Sequence, residues 1–336
     1  MNDVVKLAHG FGGRLSYQLI EELIKPSLGE PFGPTLDAVN LGELKGNIVF
    51  STDSFTVSPQ FFPGGDIGKL AACGTLNDLA MHGAKPMFLS LALIIEEGFP
   101  LSSLKKILTS IGQSSTSIGV KIVTGDTKVV EKNKLDGIII NTTGIGIEQS
   151  ILPIHPFQIM EEDVILINGY IGDHGLAILN ARHQIDPNLN IQSDCAVLWP
   201  MVQDIINGIG SDLHALRDPT RGGLAAALNE FAIDTGFEMS LDEWLIPIRP
   251  ETGTILDVFG LDALSLANEG KCIIVVSHRS AGRALDIMRH HPLGKDSTII
   301  GKINKKLPKG RVIIKTQYGT KRILEMPIEE GLPRIC

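Results

Sequence analysis

Four aspartates dispersed along the chain are the residues best suited to chemistry. They are Asp53, Asp78, Asp126 and Asp218, in the segments STDS (51–54), GTLND (74–78), GDTK (125–128) and RDPTRGG (217–223). Three follow the carboxyl end of a predicted strand, where α/β proteins gather ligand-binding groups, and Asp78 lies in a helix expected to pack on the same sheet. Carboxylates about 4 Å apart repel by roughly 4 kcal/mol per pair at an effective dielectric near 20. Together they would need cations, and hard oxygen ligands without Cys or His indicate Mg²⁺.

Any single aspartate has a simpler explanation, since Asp caps helices and forms turns after strands. The joint pattern favours a nucleotide site. Arg221, Gly222 and Gly223 open a predicted helix directly after Asp218, so phosphate could lie on a helix N-terminus beside a metal ligand. A nucleoside triphosphate with Mg²⁺ is the simplest ligand that uses these features. The sequence has neither a P-loop nor a protein-kinase glycine loop, which argues against those two types of nucleotide site.

The opening HGFGG segment (9–13) is too rich in glycine for a helix and leads into an amphipathic stretch. Backbone N–H groups around Gly12 and Gly13 could wrap phosphate, although a glycine cluster is also an ordinary turn.

The chain ends in GLPRIC (331–336), with Cys336 as its last residue. A thiol on an arm that Pro333 stiffens and Gly331 frees is suited to insertion into a pocket, as a tethered substrate. The alternative is a frayed terminus. A prenylation box does not fit, since that signal places its Cys four residues from the end.

Size and composition indicate an ordinary globular protein. A chain of 336 residues predicts two domains. The net charge of −8, without a Lys/Arg-rich run, argues against nucleic acid or an anionic membrane as partner. The four cysteines are far apart and form no C-x-x-C pair, which favours free thiols and the cytosol. There is no basic, apolar leader and no run of 18 apolar residues, so secretion and membrane spanning are not expected.

Hydrophobic periodicity places these residues in two α/β units. In the first, strands are predicted over residues 47–52, 87–95, 120–124 and 137–147, and helices over 67–82 and 101–118. Residues 148–162 read as a linker. In the second, strands are predicted over 163–167, 213–216, 271–276, 298–303 and 312–315, with helices after Gly175 and over 196–207 and 222–235. The last fifteen or so residues carry no strong period.

Several segments together resemble the HypE family of hydrogenase maturation factors. They are FFPGG (61–65), GKL (68–70), GT (74–75), ND (77–78), TGDTKVV (124–130), GDHG (172–175), SDC (193–195), NEGK (268–271) and the terminal PRIC (333–336). That family belongs to the superfamily of aminoimidazole ribonucleotide (AIR) synthetase, selenophosphate synthetase and thiamine-monophosphate kinase. The resemblance runs from His9 to Cys336, and the terminal PRIC separates the HypE family from its relatives.

The resemblance implies a two-domain PurM/AIR synthetase-like fold of the α/β (α+β) class. It divides the chain into an N-terminal segment (1–35), an N-terminal domain (36–150), a C-terminal α/β domain (151–318) and a flexible arm (319–336). It also implies a homodimer in which the first domains pair to build a β-barrel, with ATP in the cleft between the two domains.

The reaction is likewise implied by the resemblance. A HypF-type carbamoyltransferase would load a carbamoyl group onto Cys336. ATP would then phosphorylate the thiocarboxamide oxygen, and loss of phosphate would leave an S-cyanate. Cyanide would finally pass to iron held by a HypC–HypD complex, as a ligand for NiFe hydrogenase.

The residues suit these roles. Phosphoryl transfer needs positioning and charge neutralisation, which fits the four aspartates as Mg²⁺ ligands and Lys128 near the transferred phosphate. Glu269 is the candidate base for the amide proton, its alternative being a turn carboxylate paired with Lys271. The expected nucleotide contacts also include Lys69, Asn77, Thr124, Gly125, Thr127, His174, Thr220, Gly222, Gly223, Gly12 and Gly13. His174 would contact phosphate or the arm, or is simply a turn residue.

Two other functions fit the same residues. One is a kinase or synthetase of the same superfamily that acts on a free small molecule and does not need Cys336. The other is a nucleotide-binding scaffold that docks maturation partners without chemistry, in which the arm is a recognition peptide.

Overall fold

The computed structural model describes residues 4–29, 36–185, 189–328 and 334–335, which form two layered domains. The first is built on a 4-stranded sheet and the second on a 7-stranded sheet, and helices cover both. Most strand pairs are antiparallel. The exceptions are β4 with β5 and β9 with β12, which makes the fold α+β in detail.

The N-terminal sheet has the order β1-β6-β4-β5, so β1 and β5 are its edges. A short hairpin separates β1 from the first long helix. The bounds of the six strands are β1 Ile48–Phe55, β2 Phe61–Phe62, β3 Gly65–Asp66, β4 Ala84–Glu96, β5 Lys121–Val130 and β6 Ile138–Glu148.

Two long helices, α3 (Ile67–Met81) and α4 (Leu101–Thr116), cover one face of this sheet. Asp66 caps α3 by accepting hydrogen bonds from the N–H groups of Gly68 and Lys69. Nearly every residue of α3 is buried, because the helix lies between the sheet, α4 and the second domain. Gly68 permits the close crossing, since a Cβ there would lie 2.2 Å from the carbonyl oxygen of Ile107 on α4.

The N-terminal segment folds against α4. It comprises the short helices α1 (Arg14–Gln18) and α2 (Lys25–Leu28), joined by a π-helical turn, Leu19–Ile24. Leu28 is buried where Gly112 of α4 approaches the backbone of α2.

The other face of the N-terminal sheet carries exposed apolar side chains. Ile48 and Phe50 on β1 are 57% and 65% exposed, and Ile94 on β4 is 39% exposed. Both edges of the sheet are also without a neighbouring strand among the described residues. Such a face is typical of an interaction surface.

The C-terminal sheet has the order β13-β12-β9-β11-β7-β10-β8. Its strands are β7 Val164–Ile167, β8 Leu213–Arg217, β9 Phe237–Asp242, β10 Ile273–Val276, β11 Thr298–Lys306, β12 Arg311–Lys315 and β13 Lys321–Leu324. The helices are α5 Asp173–His183, α6 Trp199–Ile209, α7 Gly223–Thr235, α8 Pro250–Val258 and α9 Ala281–His290. Strands β7 and β10 are buried at every position, as their uninterrupted Ile/Leu/Val runs predict.

Every strand and helix expected from the periodicity is present, but β1 and β5 are longer than expected. Asp53 and Asp126 therefore lie within strands rather than after them. The elements that were not predicted include the short strands β2 and β3 as well as β9, α8, α9 and β13. Because β13 pairs with β12, the sheet extends into the range expected for the flexible arm.

Among the described residues, no helix combines the length and the apolar character that a membrane crossing requires.

Candidate functional site

A cavity of about 460 Å³ lies where the two domains meet. The N-terminal domain contributes Asp53 from β1 and Asp78 from α3, while the C-terminal domain contributes Asp218, which follows β8, together with Thr220 and Glu269. Arg221 also lines it. Three of the four predicted aspartates and the predicted base thus share one cavity.

Burial and nearby negative charge raise the pKa of two carboxylates of this cavity. Burial and the nearby Asp78 charge raise the pKa of Asp53 to about 7, and burial and the same Asp78 charge raise the pKa of Asp218 to about 7. The charge is only weakly compensated, since Arg221 Nη2 is 3.7 Å from Asp53 Oδ1. Ser51 Oγ donates a 2.5 Å hydrogen bond to Asp78 Oδ2. The site therefore has an excess of negative charge that a cation would relieve.

Glu269 is the most buried carboxylate of the cavity, with 3% of its surface exposed. Its N–H donates a 2.9 Å hydrogen bond to Asp194 Oδ1, and among the described residues its Oε1 has no hydrogen-bond partner. Burial, followed by the charges of Asp194 and Asp218, raises its pKa well above the usual range. Lys271 pairs with Asp194 instead, at 3.3 Å from Oδ2, an ion-pair distance without hydrogen-bond geometry. The expected alternative, a Glu269–Lys271 pair, is therefore not what the fold forms.

The fourth aspartate lies elsewhere. Asp126 lines a second cavity, of about 490 Å³, at the β5 edge of the N-terminal sheet. Lys128 lies beside it, with Nζ 3.2 Å from Asp126 Oδ2, and both side chains are more than half exposed. Thr124, Gly125, Thr127 and Gly12 line the same cavity.

The strand order explains this separation. Asp53 is on β1 and Asp126 on β5, at opposite edges of the sheet with β6 and β4 between them. Three strand spacings of about 4.8 Å place these edges roughly 14 Å apart. Within one chain, Asp126 therefore lies apart from the other three predicted aspartates.

The donor set of the first cavity fits a divalent cation that arrives with phosphate. Among the residues that the structure describes, no three His, Cys, Asp or Glu side chains are arranged to hold a metal by themselves. Mg²⁺ commonly takes only one or two carboxylates and completes its octahedron with water and substrate phosphates. Convergent carboxylates with an orphaned oxygen on Glu269 suit that kind of site.

Several residues expected to contact nucleotide have internal partners. Lys69 Nζ donates to the Gly64 carbonyl at 2.9 Å. Asn77, 2% exposed, donates to the Ala196 carbonyl and accepts from the Leu198 N–H, so it joins α3 to the second domain.

The two glycines before α7 have a steric role. Gly222 and Gly223 both have positive φ, and a Cβ at Gly223 would lie 2.5 Å from the Leu266 carbonyl oxygen. Gly13 is the N-cap of the short helix α1 and meets no atom that a Cβ would contact.

His174 contacts the arm. Its Nε2 lies 2.7 Å from the Ile335 carbonyl oxygen and its Nδ1 lies 2.8 Å from Ser193 Oγ. Ile335 is 3% exposed and belongs to the same apolar cluster as Phe62, Leu176 and Cys195. Cys336 itself lies outside the described residues.

Arg334 fixes the arm one residue earlier. Its guanidinium donates to the Thr56 carbonyl at 2.9 Å and to Asp136 Oδ2 at 2.8 Å. Its own carbonyl accepts from the Ser58 N–H and from Arg182 Nη2. Arg334 has a φ of +57°, a left-handed conformation that these contacts must hold in place.

Sequence reasoning missed the residues that receive the arm. Asp136, Arg182 and Ser58 carry no local pattern that sets them apart from a solvated surface. Ser193 and Asp194 lie in the SDC segment (193–195), and that resemblance was the one available signal for them.

The three described cysteines are buried free thiols. A hydrogen bond with Cys73, together with burial, raises the pKa of Cys195 well above its usual range. Burial raises the pKa of Cys272 to about 12. Neither Cys195 nor Cys272 is therefore an activated thiolate.

Two family models match the chain. The N-terminal domain model of AIR synthase related proteins matches residues 37–147, and the C-terminal domain model matches residues 161–313. Together they cover most of both sheets, while β13 lies beyond the second match.

Relatives match over the full length. Carbamoyl dehydratase HypE of Escherichia coli is 42% identical over 342 residues, covering 100% of both chains. The solved structure of hydrogenase maturation protein HypE in complex with ATP has a TM-score of 0.94 and 41% identity, covering 98% of this chain and 99% of that one. A solved HypE–HypF complex has a TM-score of 0.81 and 47% identity, over 85% of this chain and 92% of that one. With this identity over the whole length, the chain belongs to the HypE family of AIR synthase related proteins.

Proposed function

We propose that this protein uses ATP to dehydrate an S-carbamoylated Cys336 to a protein thiocyanate, which supplies the cyanide ligand for the iron of NiFe hydrogenase. The observation that carries the proposal is the docked arm. Arg334 and Ile335 are held by five hydrogen bonds to residues of both domains, so this part of the arm is bound where the two domains meet.

The reaction must remove the oxygen of the carbamoyl group, which is a poor leaving group. ATP supplies the phosphoryl group that converts the carbamoyl oxygen into phosphate, and Mg²⁺ neutralises its charge. The carbon–oxygen bond then breaks as both protons leave the amide nitrogen, and the C≡N group stays on the sulfur.

The residues of this chain divide that work. Asp53, Asp78 and Asp218 would hold Mg²⁺, directly or through water, at the first cavity. Glu269 would accept a proton from the amide nitrogen. Because burial raises its pKa, its carboxylate is a stronger base than an exposed glutamate once it is deprotonated. The cavity that excludes water also strengthens these electrostatic interactions.

A homodimer would explain the two cavities. The β1 and β5 edges are both open, and the sheet exposes Ile48, Phe50 and Ile94 on its outer face. Joining β1 of one chain to β5 of a second would close a β-barrel and bring Asp53 towards Asp126 of the partner subunit. Lys128, Thr124, Gly125, Thr127 and Gly12 would then contact nucleotide from the second chain. This arrangement restores the expected set of four aspartates.

The partners follow from the chemistry. A HypF-type carbamoyltransferase would load Cys336, in agreement with the HypE–HypF complex of the relative, and a HypC–HypD complex would accept cyanide. The buried free thiols suit the cytosol.

Mass spectrometry of the C-terminal peptide tests the proposal. With carbamoyl phosphate, ATP, Mg²⁺ and the carbamoyltransferase, the peptide should first gain the mass of a carbamoyl group and then lose the mass of one water. Glu269→Gln should keep the first step and slow the second by about 10² to 10⁴-fold. An unmodified Cys336 in every sample would refute the proposal.

The same samples address the two rival functions. Substrate-dependent ATP turnover by Cys336→Ala would favour a kinase or synthetase acting on a free molecule. Full hydrogenase maturation with Cys336→Ala would favour a scaffold.

A further inference from the structure

Hydrogen bonds run from the arm through His174 to Ser193, which lies in the segment that also contacts Glu269. Cys195 N–H donates to Ser193 Oγ at 3.1 Å, and that hydroxyl lies 2.8 Å from His174 Nδ1. The Ser193 hydroxyl therefore donates its hydrogen bond to His174 Nδ1. The Nε2–H of His174 donates to the carbonyl oxygen of Ile335. This assigns a neutral imidazole with the proton on Nε2, because a carbonyl can only accept.

The segment 193–196, which contains Ser193, also contacts the candidate base Glu269. Asp194, next to Ser193, accepts the Glu269 N–H at 2.9 Å, and the Ala196 N–H points back to the Glu269 carbonyl at 3.4 Å. The two segments are in backbone contact, since a Cβ at Gly270 would lie 1.9 Å from the Asp194 carbonyl oxygen. Residues 193–196 thus form the support on which Glu269 rests.

The ring of His174 is itself anchored. Asp173 accepts hydrogen bonds from Arg249 and Thr252 at 2.8 Å each, which fixes the start of α5. Gly172 N–H donates to Asn268, the neighbour of Glu269, at 2.9 Å. His174 and Glu269 are therefore connected by two routes, one through Ser193 and Asp194 and one through Gly172 and Asn268.

We propose that His174 and Ser193 form a relay through which the docked arm positions Glu269, so that the base is set when the substrate residue is in place. The inference rests on the proposed function, and it makes both residues positioning residues rather than nucleotide ligands. In this relay, Glu269 is less well oriented when the arm is not docked. ATP turnover without the substrate residue in place is thereby disfavoured.

Two readouts that do not require activity test the relay in the full-length chain. The first is the rate at which a carboxypeptidase releases Ile335 after Cys336, which requires the arm to leave its site because Ile335 is 3% exposed. The second is hydrogen exchange of the peptide that contains the Glu269 N–H. The melting temperature and exchange in α9 are the folding controls.

Different variants test the His174–Ile335 contact and the support of Glu269 by Ser193. His174→Asn can still accept from Ser193 but cannot reach Ile335, and it should speed Ile335 release on the order of tenfold, the loss of one buried hydrogen bond. Ser193→Ala keeps the Ile335 contact, so the rate of Ile335 release should stay within about twofold of wild type. Hydrogen exchange at the Glu269 N–H should become faster, and dehydration at saturating ATP slower, each on the order of tenfold. Ser193→Thr, which keeps the hydroxyl, should restore both.

Two results would overturn the relay. One is unchanged Ile335 release in His174→Asn, and the other is wild-type exchange at Glu269 in Ser193→Ala. If the wild-type protein forms no thiocyanate, the proposed function fails, but release and exchange still decide the relay.

Discussion

His174 Nε2 donates a 2.7 Å hydrogen bond to the carbonyl oxygen of Ile335, and both residues are buried. Burial lowers the pKa of His174, which favours the neutral imidazole. The arm is thus recognised through its backbone at this residue and through apolar packing of the Ile335 side chain.

Removing the Arg334–Asp136 ion pair should loosen the arm only slightly. The two side chains are 44% and 65% exposed, and exposed pairs contribute about 0.2 to 1 kcal/mol. Asp136→Ala should therefore speed carboxypeptidase release of Ile335 by no more than about fivefold. Glu162→Ala, at the exposed Lys302–Glu162 pair of the second domain, is the matched control and should have no effect. A release rate tens of times faster would mean that this pair is the main anchor.

Mixed dimers should test the proposed homodimer and the role of Asp126 across it. Asp53→Asn and Asp126→Asn homodimers should each lack ATP turnover. Dissociating and recombining equal amounts should restore about a quarter of wild-type turnover, because half of the dimers are mixed and one of their two sites has both aspartates. If each site belongs to one chain, every site carries one substitution and the mixture stays inactive.

The metal-free protein should lose stability as pH rises from about 4 to about 7. The pKa of Asp53 is raised to about 7 in the folded state, so the folded state binds more protons than the unfolded state in this window. Its stabilising contribution is complete below about pH 4 and is lost as pH passes about 7.

Asp53→Asn should remove part of that pH dependence. At pH 8 it should raise the free energy of unfolding on the order of 1 kcal/mol, after allowance for the exposure of the site, or the melting temperature by about 2 to 4 °C. Asp286→Asn, an exposed substitution on α9, is the control. Equal melting curves of wild-type and Asp53→Asn protein at pH 5 and pH 8 would contradict the prediction.

Gly125→Ala should disturb the second cavity by breaking the contact between β4 and β5. A Cβ at Gly125 would lie 2.3 Å from the Leu91 carbonyl oxygen, and backbone cannot yield as a side chain can. We expect a loss of about 1 to 3 kcal/mol in denaturant unfolding. Gly282→Ala in α9 meets no atom within 4 Å and should be neutral or stabilise by up to about 1 kcal/mol. Similar results for the two variants would mean that the β4–β5 contact tolerates a Cβ.

Part of the site was accessible from residue types alone. The pattern of carboxylates and glycines that a metal–phosphate site requires indicated Asp53, Asp78 and Asp218, whereas Glu269 was named as the base for the reaction that the resemblance implies. The fold gathers these four at one cavity. The strands and helices with strong periodicity, such as α4 and β7, were likewise predicted, because their burial pattern is written in consecutive side chains. By contrast β9, which alternates but is short, and β13, an edge strand rich in charge, carry weak local signals.

The sequence by itself determined which groups are available: hard oxygen ligands, a glycine-rich helix start and a terminal thiol on a short arm. Only the tertiary structure decided which of them meet. Strand order separated Asp126 from Asp53, because two other strands lie between β1 and β5. A long-range contact also places His174 against the arm, because Ile335 is 161 residues away in the chain. Spacing along a sequence reports neighbours on one element, whereas pairing between distant elements depends on how whole layers pack.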